Sequence, residues 1–416
     1  MNKRLMGVFL AILLDMLSFG MFIPDLQLRG QKLVTEALGV PFNSQTTMVG
    51  LGIGFSLGMF SLAQLIAAPI LGRWSDVAGR KKVLVLSSAL SVVAYLLYAH
   101  ATVLWMVILS RAISGVAASN IGVAFAYAAD VTTPKERAKG MGMLGMAFGI
   151  GFVMGPPLGA LLLRLGNDSP RVLGYVAAAL CALNVVYISR SLQETHPEDA
   201  APKPSLMQNA KVALETPGLR LMLVMFFAVN LGFTNLETTY FRLLQDPRTV
   251  HHFSESDAKR NGAIILTFVG LVIAFVQGFL IRVAEPKYGA VRLVRFSYVI
   301  LALSLATVPY TPLWIPTLFG LVFMGLGNGL GGPSIQSLIS RAAPMTMQGG
   351  IFGITSALGA LARFGGPVVS NSLFQLNPAY PYLLGAGVIL IPAVLAWRLP
   401  LSLGDHQATE DEVLAH

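Results

Sequence analysis

Two acidic residues stand inside long apolar runs of this chain, where charged residues are rare. Asp15 lies in LLDMLSFGMFIP and Glu237 in NLGFTNLETTY. Inside a membrane, a carboxylate either pairs with a cation or binds and releases a proton. Two arginines in similar runs are candidate partners, Arg111 for Asp15 and Arg363 for Glu237, and both static pairing and proton transfer remain open. Arg363 is also a candidate ligand for an anionic substrate.

A short basic segment bracketed by glycines joins two of the apolar runs. It reads GRWSDVAGRKK over residues 72–82, between LGMFSLAQLIAAPIL and VLVLSSALSVVAYLLYA. This segment resembles the signature loop between helices 2 and 3 of the major facilitator superfamily, where the loop latches the two halves of a transporter at the cytoplasmic side. The resemblance implies gating roles for Gly72, Arg73, Asp76, Gly79 and Arg80. The two glycines are expected to permit a tight turn, and Asp76 can accept bonds from a helix N-terminus.

Glycines recur along a later apolar run in the pattern G-x8-G-x3-G-P-x2-G. The residues are Gly142, Gly151, Gly155, Pro156 and Gly159. The pattern resembles the antiporter motif of proton-coupled drug exporters, although that motif ends in a second glycine where this chain has Ala160. Glycines four apart share one helix face and let two membrane helices approach closely. The physical prediction is therefore helix packing, and only the resemblance implies antiport.

The fourth apolar run carries charged residues within it and at its end. It contains Arg111 in RAISG and ends in YAADVTTPKER, which resembles tetracycline/proton antiporters and their relatives. The segment around Asp15 also matches an acidic residue of those exporters. The resemblance implies that Arg111 tunes Asp15, that Asp15 and Glu237 carry or regulate the proton, and that Asp130 and Arg137 form a gating ion-pair set.

Amide side chains within the apolar runs, together with Arg363, are candidates for lining a substrate cavity. They are Gln64, Asn120, Asn230, Asn235, Gln277, Asn328 and Gln336. Each of these amides is equally well explained by a hydrogen bond between helices. The numerous Phe and Met residues suit a broad, adaptable apolar pocket, although they are also ordinary in lipid-facing positions.

The elements that must hold these residues are membrane helices. The 416-residue chain is 55% hydrophobic and 12% charged, whereas about one quarter of the residues of a soluble domain are charged. A spanning helix needs roughly 20 mainly apolar residues, and the first run is predicted to be a span because Asp15 interrupts what would be a signal-peptide core. The twelve predicted spans are 5–24, 48–71, 83–100, 103–129, 141–164, 173–190, 219–244, 261–282, 292–309, 313–340, 348–374 and 380–399.

The spans are predicted to form two halves that arose by duplication. The predicted parts are an N-terminal six-helix bundle over 1–190, a cytoplasmic linker over 191–218, a C-terminal six-helix bundle over 219–400 and a cytoplasmic tail over 401–416. The features that recur 210 or 211 residues later are Gly79 as Gly289, Pro134 as Pro344, and Gly155-Pro156 as Gly366-Pro367. Such internal repeats are frequent in secondary transporters. The predicted inner loops and tails hold more than twice as many Lys and Arg residues as the outer loops, which places both termini in the cytoplasm.

Several motifs that would indicate an enzyme lack their structural context. The stretch GFSLG fits G-x-S-x-G but lies in the middle of a predicted helix, and GNGLGG fits a dinucleotide fingerprint without the strand before it. The sequence has no Walker loop and no metal or nucleophile constellation. We therefore predict a protein that is not an enzyme and needs no cofactor or metal. The resemblance to proton-coupled exporters implies that the proton gradient is its energy source. Nucleic acid is not an expected partner, since the cations lie in short loops between spans.

The resemblance to the superfamily covers essentially the whole chain. It implies an all-α membrane protein with twelve transmembrane helices in two pseudo-symmetric six-helix bundles and a midplane cavity. The expected function is export of a small amphipathic or hydrophobic, drug-like compound in exchange for protons, by a monomer in the bilayer of the bacterial inner membrane. Uptake or facilitated diffusion of an organic anion bound by Arg363 is the alternative, and a membrane enzyme or a channel is disfavoured.

Overall fold

The computed structural model describes residues 3–41, 46–131, 134–195, 206–312, 315–343 and 348–401, and their regular structure is helical throughout. The α-helices are α1 Lys3–Met21, α2 Ile23–Leu38, α3 Thr47–Ala78, α4 Arg80–Ala99, α5 Leu104–Ala117, α6 Asn120–Asp130, α7 Pro134–Leu165, α8 Pro170–Ser191, α9 Leu206–Glu215, α10 Pro217–Gln245, α11 Glu255–Phe275, α12 Ile281–Tyr288, α13 Ala290–Thr307, α14 Ile315–Ala342, α15 Gln348–Leu376 and α16 Tyr380–Leu395. A π-helical turn, Val276–Leu280, joins α11 to α12.

Ten helical segments within the described residues are long and apolar enough to cross a membrane. Some of these segments combine two helices: α5 with α6 forms Leu104–Ala128, and α11 with α12 forms Glu255–Tyr288. The two further predicted spans, 141–164 and 313–340, fall in α7 and α14, for which only part of the side chains is described. The total of twelve spans therefore stays a prediction.

The basic segment between the second and third predicted spans is shorter than expected. Helix α3 continues through Gly72 and Asp76, and α4 begins at Arg80, so that Gly79 alone joins the two helices. The expectation that Gly72 forms part of a tight turn is wrong, because polar residues continue a helix beyond its apolar run. Of the two glycines, only Gly79 has a backbone conformation that ends helix α3. Its φ is +100°, in a region that residues with a Cβ rarely adopt.

The same joint occurs in the second half of the chain. Gly289 alone connects α12 to α13, with φ at +77° and ψ at 148°. The corresponding angles of Gly79 are +100° and 145°. The two joints therefore have similar backbone conformations, while the duplication of the two halves stays a prediction.

The segment after the first predicted span forms a helix, although the sequence analysis placed it in an outer loop. Helix α2 begins at Ile23 with Pro24 in its first turn, a position where the missing N–H of proline leaves no hydrogen bond broken. It ends at Gly39, which has φ of +65° and donates its N–H to carbonyls of the last turn. This segment is therefore helical, although its polar sequence suggested a loop.

Contacts between α-carbons divide the chain into two compact units. The first unit contains Met1–Ala201 and Phe253–Thr267, and the second contains Pro202–His252 and Phe268–His416. The beginning of α11 therefore belongs to the first unit. There the buried Lys259 ammonium lies 3.1 Å from Asp168 in the turn between α7 and α8, and 3.0 Å from Glu255.

Apolar packing within the first unit holds the helices that carry the candidate site. One buried cluster includes Val8, Val83 and Leu144 from α1, α4 and α7. A second includes Phe22, and there its ring stacks on Tyr95 of α4 with ring centres 4.8 Å apart. Helix α1 thus packs against α4, α6, α7 and α8, which positions the residues of its buried side.

Candidate functional site

Asp15 lies on α1 and is bound by two neutral amides. Its Oδ2 accepts a hydrogen bond of 2.8 Å from Asn120 Nδ2 on α6, and its Oδ1 accepts one of 3.1 Å from Asn184 Nδ2 on α8. Among the ion pairs of the described residues, none includes Asp15. The carboxylate is therefore placed between three helices without a cation that would hold it permanently charged.

Asn184 is a contact of Asp15 that the sequence analysis missed. It is fully buried, and its Nδ2 also lies 3.2 Å from the Ala11 carbonyl and 3.2 Å from Ser88 Oγ. An asparagine in an apolar helix is itself a signal, because a buried amide needs partners. The signal does not say which partners, since they lie 96 or more residues away along the chain.

Arg111 is buried but is not the partner of Asp15 that the sequence analysis expected. Its guanidinium carbon lies 4.6 Å from the ring centre of Phe60 on α3 and 5.3 Å from that of Phe19 on α1. The faces of aromatic rings attract cations, so these rings replace a carboxylate as neighbours of the guanidinium. Because Phe19 follows Asp15 by one helical turn, Arg111 lies one turn farther along α1 than the carboxylate.

The predicted fourth span bends immediately before Asn120. Ala118 and Ser119, here called the α5–α6 bend, interrupt the α-helix. The Ile121 N–H bonds to the Ala118 carbonyl three residues back rather than four, as in a tightened turn. From α3, the Gln64 side chain donates to the same Ala118 carbonyl at 3.2 Å, and the Ser119 hydroxyl lies 3.3 Å from the Gln64 carbonyl. A neighbouring side chain therefore enters the hydrogen-bond ladder, a recognised cause of helix bending.

Arg80 organises the turn between α3 and α4. It is buried, and its guanidinium lies 2.5 Å from Asp76 Oδ1, 3.4 Å from Asp130 Oδ2 and 2.5 Å from Ser75 Oγ. Ser75 in turn donates to the Gly72 carbonyl at 2.7 Å. The cation thus connects the end of α3 with the end of α6, which brings four of the predicted gating residues into one cluster.

A short segment after α8 covers this turn and was not predicted to belong to it. Glu194 Oε1 accepts a 2.9 Å bond from the Lys81 N–H at the start of α4. The adjacent Thr195 accepts the Arg80 N–H through its carbonyl at 3.3 Å and donates its hydroxyl to Asp130 at 3.4 Å. A carboxylate at the N-terminus of a helix is favourable because the free N–H groups there are partly positive. Glu194 therefore belongs to the same cluster as Arg80 and Asp130.

The structure describes some of the predicted gating and packing residues only in part. Arg137 and Gly142 fall within α7, but the Arg137 side chain and the surroundings of Gly142 lie outside what the structure describes. Arg73 lies in the penultimate turn of α3 and is exposed. The predicted pairing of Asp130 with Arg137 therefore stays a prediction, while Asp130 is bound by Arg80 and Thr195.

Replacing Gly79 by alanine should destabilise the protein, whereas replacing Gly72 should not. An added Cβ on Gly79 would lie 2.5 Å from Glu194 Oε1, and φ of +100° disfavours any side chain. Strain of this kind is worth about 1–3 kcal/mol. A Cβ on Gly72 meets nothing within 4 Å, and alanine favours a helix. Thermal unfolding of the two purified variants measures the difference, and equal melting temperatures would refute the assignment of the turn to Gly79.

One face of α7 packs directly on the backbone of α1. A Cβ on Gly151 would lie 2.8 Å from the Leu13 carbonyl oxygen, one on Gly155 would lie 2.5 Å from the Gly20 Cα, and one on Gly159 would meet the Met21 carbonyl. The spacing of four residues therefore serves the close helix packing that the sequence analysis predicted. It also sets the rotation of α1, and with it the direction in which Asp15 points.

The carboxylate in the second unit has a different environment. Glu237 on α10 and Arg363 on α15 are both half-buried and interact electrostatically. An added Cβ on Gly359 would lie 3.3 Å from Arg363 Nη1 and 3.7 Å from the Phe226 ring, so the guanidinium lies beside an aromatic residue of α10. Glu237 thus has the cationic neighbour that the sequence predicted for it, unlike Asp15.

The second-half copy of the basic turn also has an ion pair, but between different positions. Glu285 on α12 accepts hydrogen bonds from Arg341 at 2.9 Å and from Ser337 at 3.0 Å, both on α14. In the first half the cation is Arg80, which pairs with Asp76 and Asp130. The residue 210 positions after Arg80 is the uncharged Ala290, so the second-half pair uses another arginine. The second copy therefore retains an ion pair although its sequence matches the motif poorly.

The remaining amides occupy varied positions. Asn230 donates to the Phe226 carbonyl at 2.8 Å, and the buried Asn235 donates to the Gly232 carbonyl at 2.9 Å, both within α10. Asn328 is half-buried. Gln277, in the π-helical turn, and Gln336 are exposed. The amides that meet Asp15 and the α5–α6 bend therefore have roles distinct from those that bond within their own helix.

Comparisons with known proteins place this geometry among transporters. The family model of the Major Facilitator Superfamily matches residues 8–367. The chain is 28% identical to Multidrug resistance protein 2 of Bacillus subtilis (strain 168), with 82% of this chain and 84% of that protein covered. It is 28% identical to the class D tetracycline resistance protein of Salmonella ordonez, with 90% of each covered.

Similarity to a solved structure extends to a human protein. The crystal structure of the human organic anion transporter MFSD10 (TETRAN) has a TM-score of 0.70 at 26% identity, covering 95% of this chain and 99% of that one. A D-xylose-proton symporter has a TM-score of 0.74 at 15% identity, which shows the shared fold alone. Helices that cross a membrane, arranged as in these structures, are thus the frame in which Asp15 and Arg80 lie.

Proposed function

The chain belongs to the Major Facilitator Superfamily, and we propose that it is a proton-coupled antiporter that exports small amphipathic or hydrophobic compounds by alternating access. It is a multi-pass membrane protein and a transporter rather than an enzyme. Its similarity to tetracycline and multidrug resistance proteins supports export of drug-like molecules. Two six-helix bundles, twelve spans, a monomeric state, both termini in the cytoplasm and location in a bacterial inner membrane belong to the same proposal.

The arrangement of Asp15 carries this proposal. Two neutral amides, Asn120 and Asn184, bind its two oxygens. An amide donor stabilises the charged carboxylate but does not prevent its protonation, whereas a paired arginine would keep the carboxylate permanently ionised. A carboxylate that can take either form on a membrane helix is suited to loading a proton on one side and releasing it on the other.

The other candidate residues have supporting roles in the proposed cycle. Glu237 takes part in proton exchange through its coupling to Arg363. Arg111, held between aromatic rings, contributes a positive field one turn from Asp15. The Arg80 cluster with Glu194 closes the inner gate and must loosen when the cavity opens to the cytoplasm.

The proposed exchange can be tested in everted membrane vesicles that contain the protein. An inward proton gradient is established, and a panel of drugs and organic anions is added while a pH-sensitive dye reports the vesicle interior. Antiport predicts that a transported compound triggers proton release and that the compound accumulates in the vesicles. Vesicles without the protein are the control. Accumulation that needs no gradient and releases no protons would exclude antiport.

Transport of an organic anion is the second candidate function, and two observations favour it. A relative with this printed activity, the human organic anion transporter MFSD10, aligns with nearly the whole chain. Arg363 is half-buried beside Phe226, so a cation and an aromatic ring are both present to receive an amphipathic anion. In this case Arg363→Ala should abolish uptake of a labelled anion while Asp15→Asn retains it, and the opposite pattern favours proton antiport.

A further inference from the structure

The α5–α6 bend lies next to the carboxylate of the proposed function, and the two are joined by a single residue. Asn120 is the first residue of α6 and follows Ser119 of the bend directly. Its Nδ2 donates to Asp15 Oδ2 at 2.8 Å. The Asn120 side chain therefore connects the Asp15 carboxylate to the end of the bend.

The two amides that bind Asp15 are not equally fixed. Asn184 is fully buried and lies within hydrogen-bond distance of Ala11 and Ser88 as well as Asp15. Within the described residues, the Asn120 side-chain nitrogen makes one hydrogen bond, which it donates to Asp15. When the carboxyl group is protonated, it accepts less strongly and gains a donor that competes with the amide donors. Because Asn184 is held by other groups, Asn120 is the amide that gives way.

The bend is held by backbone and side-chain hydrogen bonds together. Its backbone forms three-residue hydrogen bonds where a straight helix would form four-residue ones. The Gln64 side chain satisfies the Ala118 carbonyl, and the Ser119 hydroxyl donates to the Gly115 carbonyl at 3.1 Å. These side-chain bonds hold a conformation that the backbone alone would not keep.

We propose that Asn120 is a positioning residue that ties the protonation state of Asp15 to the α5–α6 bend, with Gln64 as the brace of the bend. With Asp15 ionised, Asn120 is held and the bend is rigid. With Asp15 protonated, Asn120 is released and the hydrogen bonds of the bend open more often. This inference deepens the proposed function, because it assumes that Asp15 is the proton-binding group.

Among the residues whose contacts the structure describes, no other titratable group near Asp15 makes so direct a contact with Asn120. Tyr95 on α4 and Cys181 on α8 interact with Asp15 electrostatically. Arg111 on α5 faces Phe19 and Phe60. Helix α7, which packs along α1, presents Gly151 at this level, and its residues 145–157 contain no titratable side chain. Among the described residues, Asp15 is thus the carboxylate that acts on Asn120.

Hydrogen exchange measured by mass spectrometry tests the proposal without any transport assay. The full-length protein in lipid nanodiscs is compared at acidic and alkaline pH, with exchange corrected for the intrinsic pH dependence. Peptides covering the bend, residues 114–124, report on it, and a peptide from α13 in the second unit is the internal reference. In the wild type, protection of the bend should fall about tenfold on acidification, the factor expected from one hydrogen bond to a charged group.

Three variants separate this mechanism from a general loss of stability. Asn120→Ala should show low protection of the bend at both pH values. Asp15→Asn mimics the protonated group, so at both pH values the protection of its bend should match that of the wild type at acidic pH. This variant keeps Asn120 and therefore still tests the proposal if Asn120→Ala does not fold. Asn230→Ala removes an amide that bonds within α10 and should retain the wild-type response.

Two results would overturn the inference. One is a bend whose protection in the wild type does not change with pH, and the other is a wild-type pH response that persists in Asn120→Ala or Asp15→Asn. Failure of the proposed function has a different signature. If no compound triggers proton release while the bend still responds to pH through Asp15, antiport is wrong and the link between Asp15 and the bend stands.

Discussion

Asp15→Asn should abolish proton-driven accumulation of substrate while leaving the protein folded. With one proton exchanged per substrate and a proton-motive force of roughly 100 mV, the wild type can concentrate its substrate about 50-fold. The reason is that one charge crossing 100 mV is worth about 2.3 kcal/mol and 1.4 kcal/mol corresponds to a factor of ten. The variant cannot exchange a proton at position 15, so its accumulation ratio should fall to about one. Labelled substrate in everted vesicles measures this ratio.

The asparagine is nearly isosteric with aspartate, so loss of packing does not explain the expected result. Asp257→Asn is the matched control, since it removes an exposed carboxylate of α11 whose ion pair with Arg260 lies at the surface. Such pairs contribute little to stability, and this variant should accumulate substrate like the wild type. Wild-type accumulation by Asp15→Asn would move the proton-binding role to Glu237 or remove proton coupling altogether.

Gly155→Ala should lower the stability of the protein markedly, whereas Gly149→Ala on the same helix should not. The added methyl group at Gly155 would lie 2.5 Å from the Cα of Gly20 and 3.1 Å from the Leu17 carbonyl oxygen, both backbone atoms that cannot move aside. Overpacking of this kind destabilises by about 1–3 kcal/mol. A methyl group at Gly149 meets nothing within 4 Å. The melting temperatures of both purified variants in detergent measure the effect.

The same pair of variants also tests whether the packing of α1 positions Asp15. If α7 fixes the rotation of α1, Gly155→Ala should impair substrate-triggered proton release even at a temperature where it remains folded. Gly149→Ala should be at least as stable as the wild type, because alanine favours helices over glycine by about 1 kcal/mol. Equal stability of the two variants would mean that α1 and α7 separate without difficulty, contrary to their direct backbone contact.

Much of the architecture follows from local composition. Long apolar runs become helices in a membrane because the backbone there must satisfy its own hydrogen bonds. The spacing of Gly79 and Gly289 predicted equivalent joints, and both glycines have the same left-handed backbone. The glycine pattern of α7 predicted close helix packing, which the contacts of Gly151 and Gly155 display. These features depend on residues close together in the chain or on simple periodicity.

Helix ends were predicted less well than helix interiors. The segment around Gly72 was expected to be a turn, because its polar residues end the apolar run. Polarity decides where a helix leaves the hydrocarbon layer, but hydrogen bonding and backbone conformation decide where it stops. Helix α3 therefore continues to Ala78, and α2 occupies a region predicted to be a loop.

Charged residues are improbable in a membrane, so composition alone identified Asp15, Arg111, Glu237 and Arg363 as candidate site residues. Their partners became visible once the helices were packed. Asp15 meets Asn120 and Asn184 rather than Arg111, because packing sets the rotation of α1 against helices more than 100 residues away in the chain. Glu194 joins the turn between α3 and α4 for the same reason, across 113 residues from Lys81. Burial can be read from local composition, whereas the pairing of side chains depends on how whole helices pack.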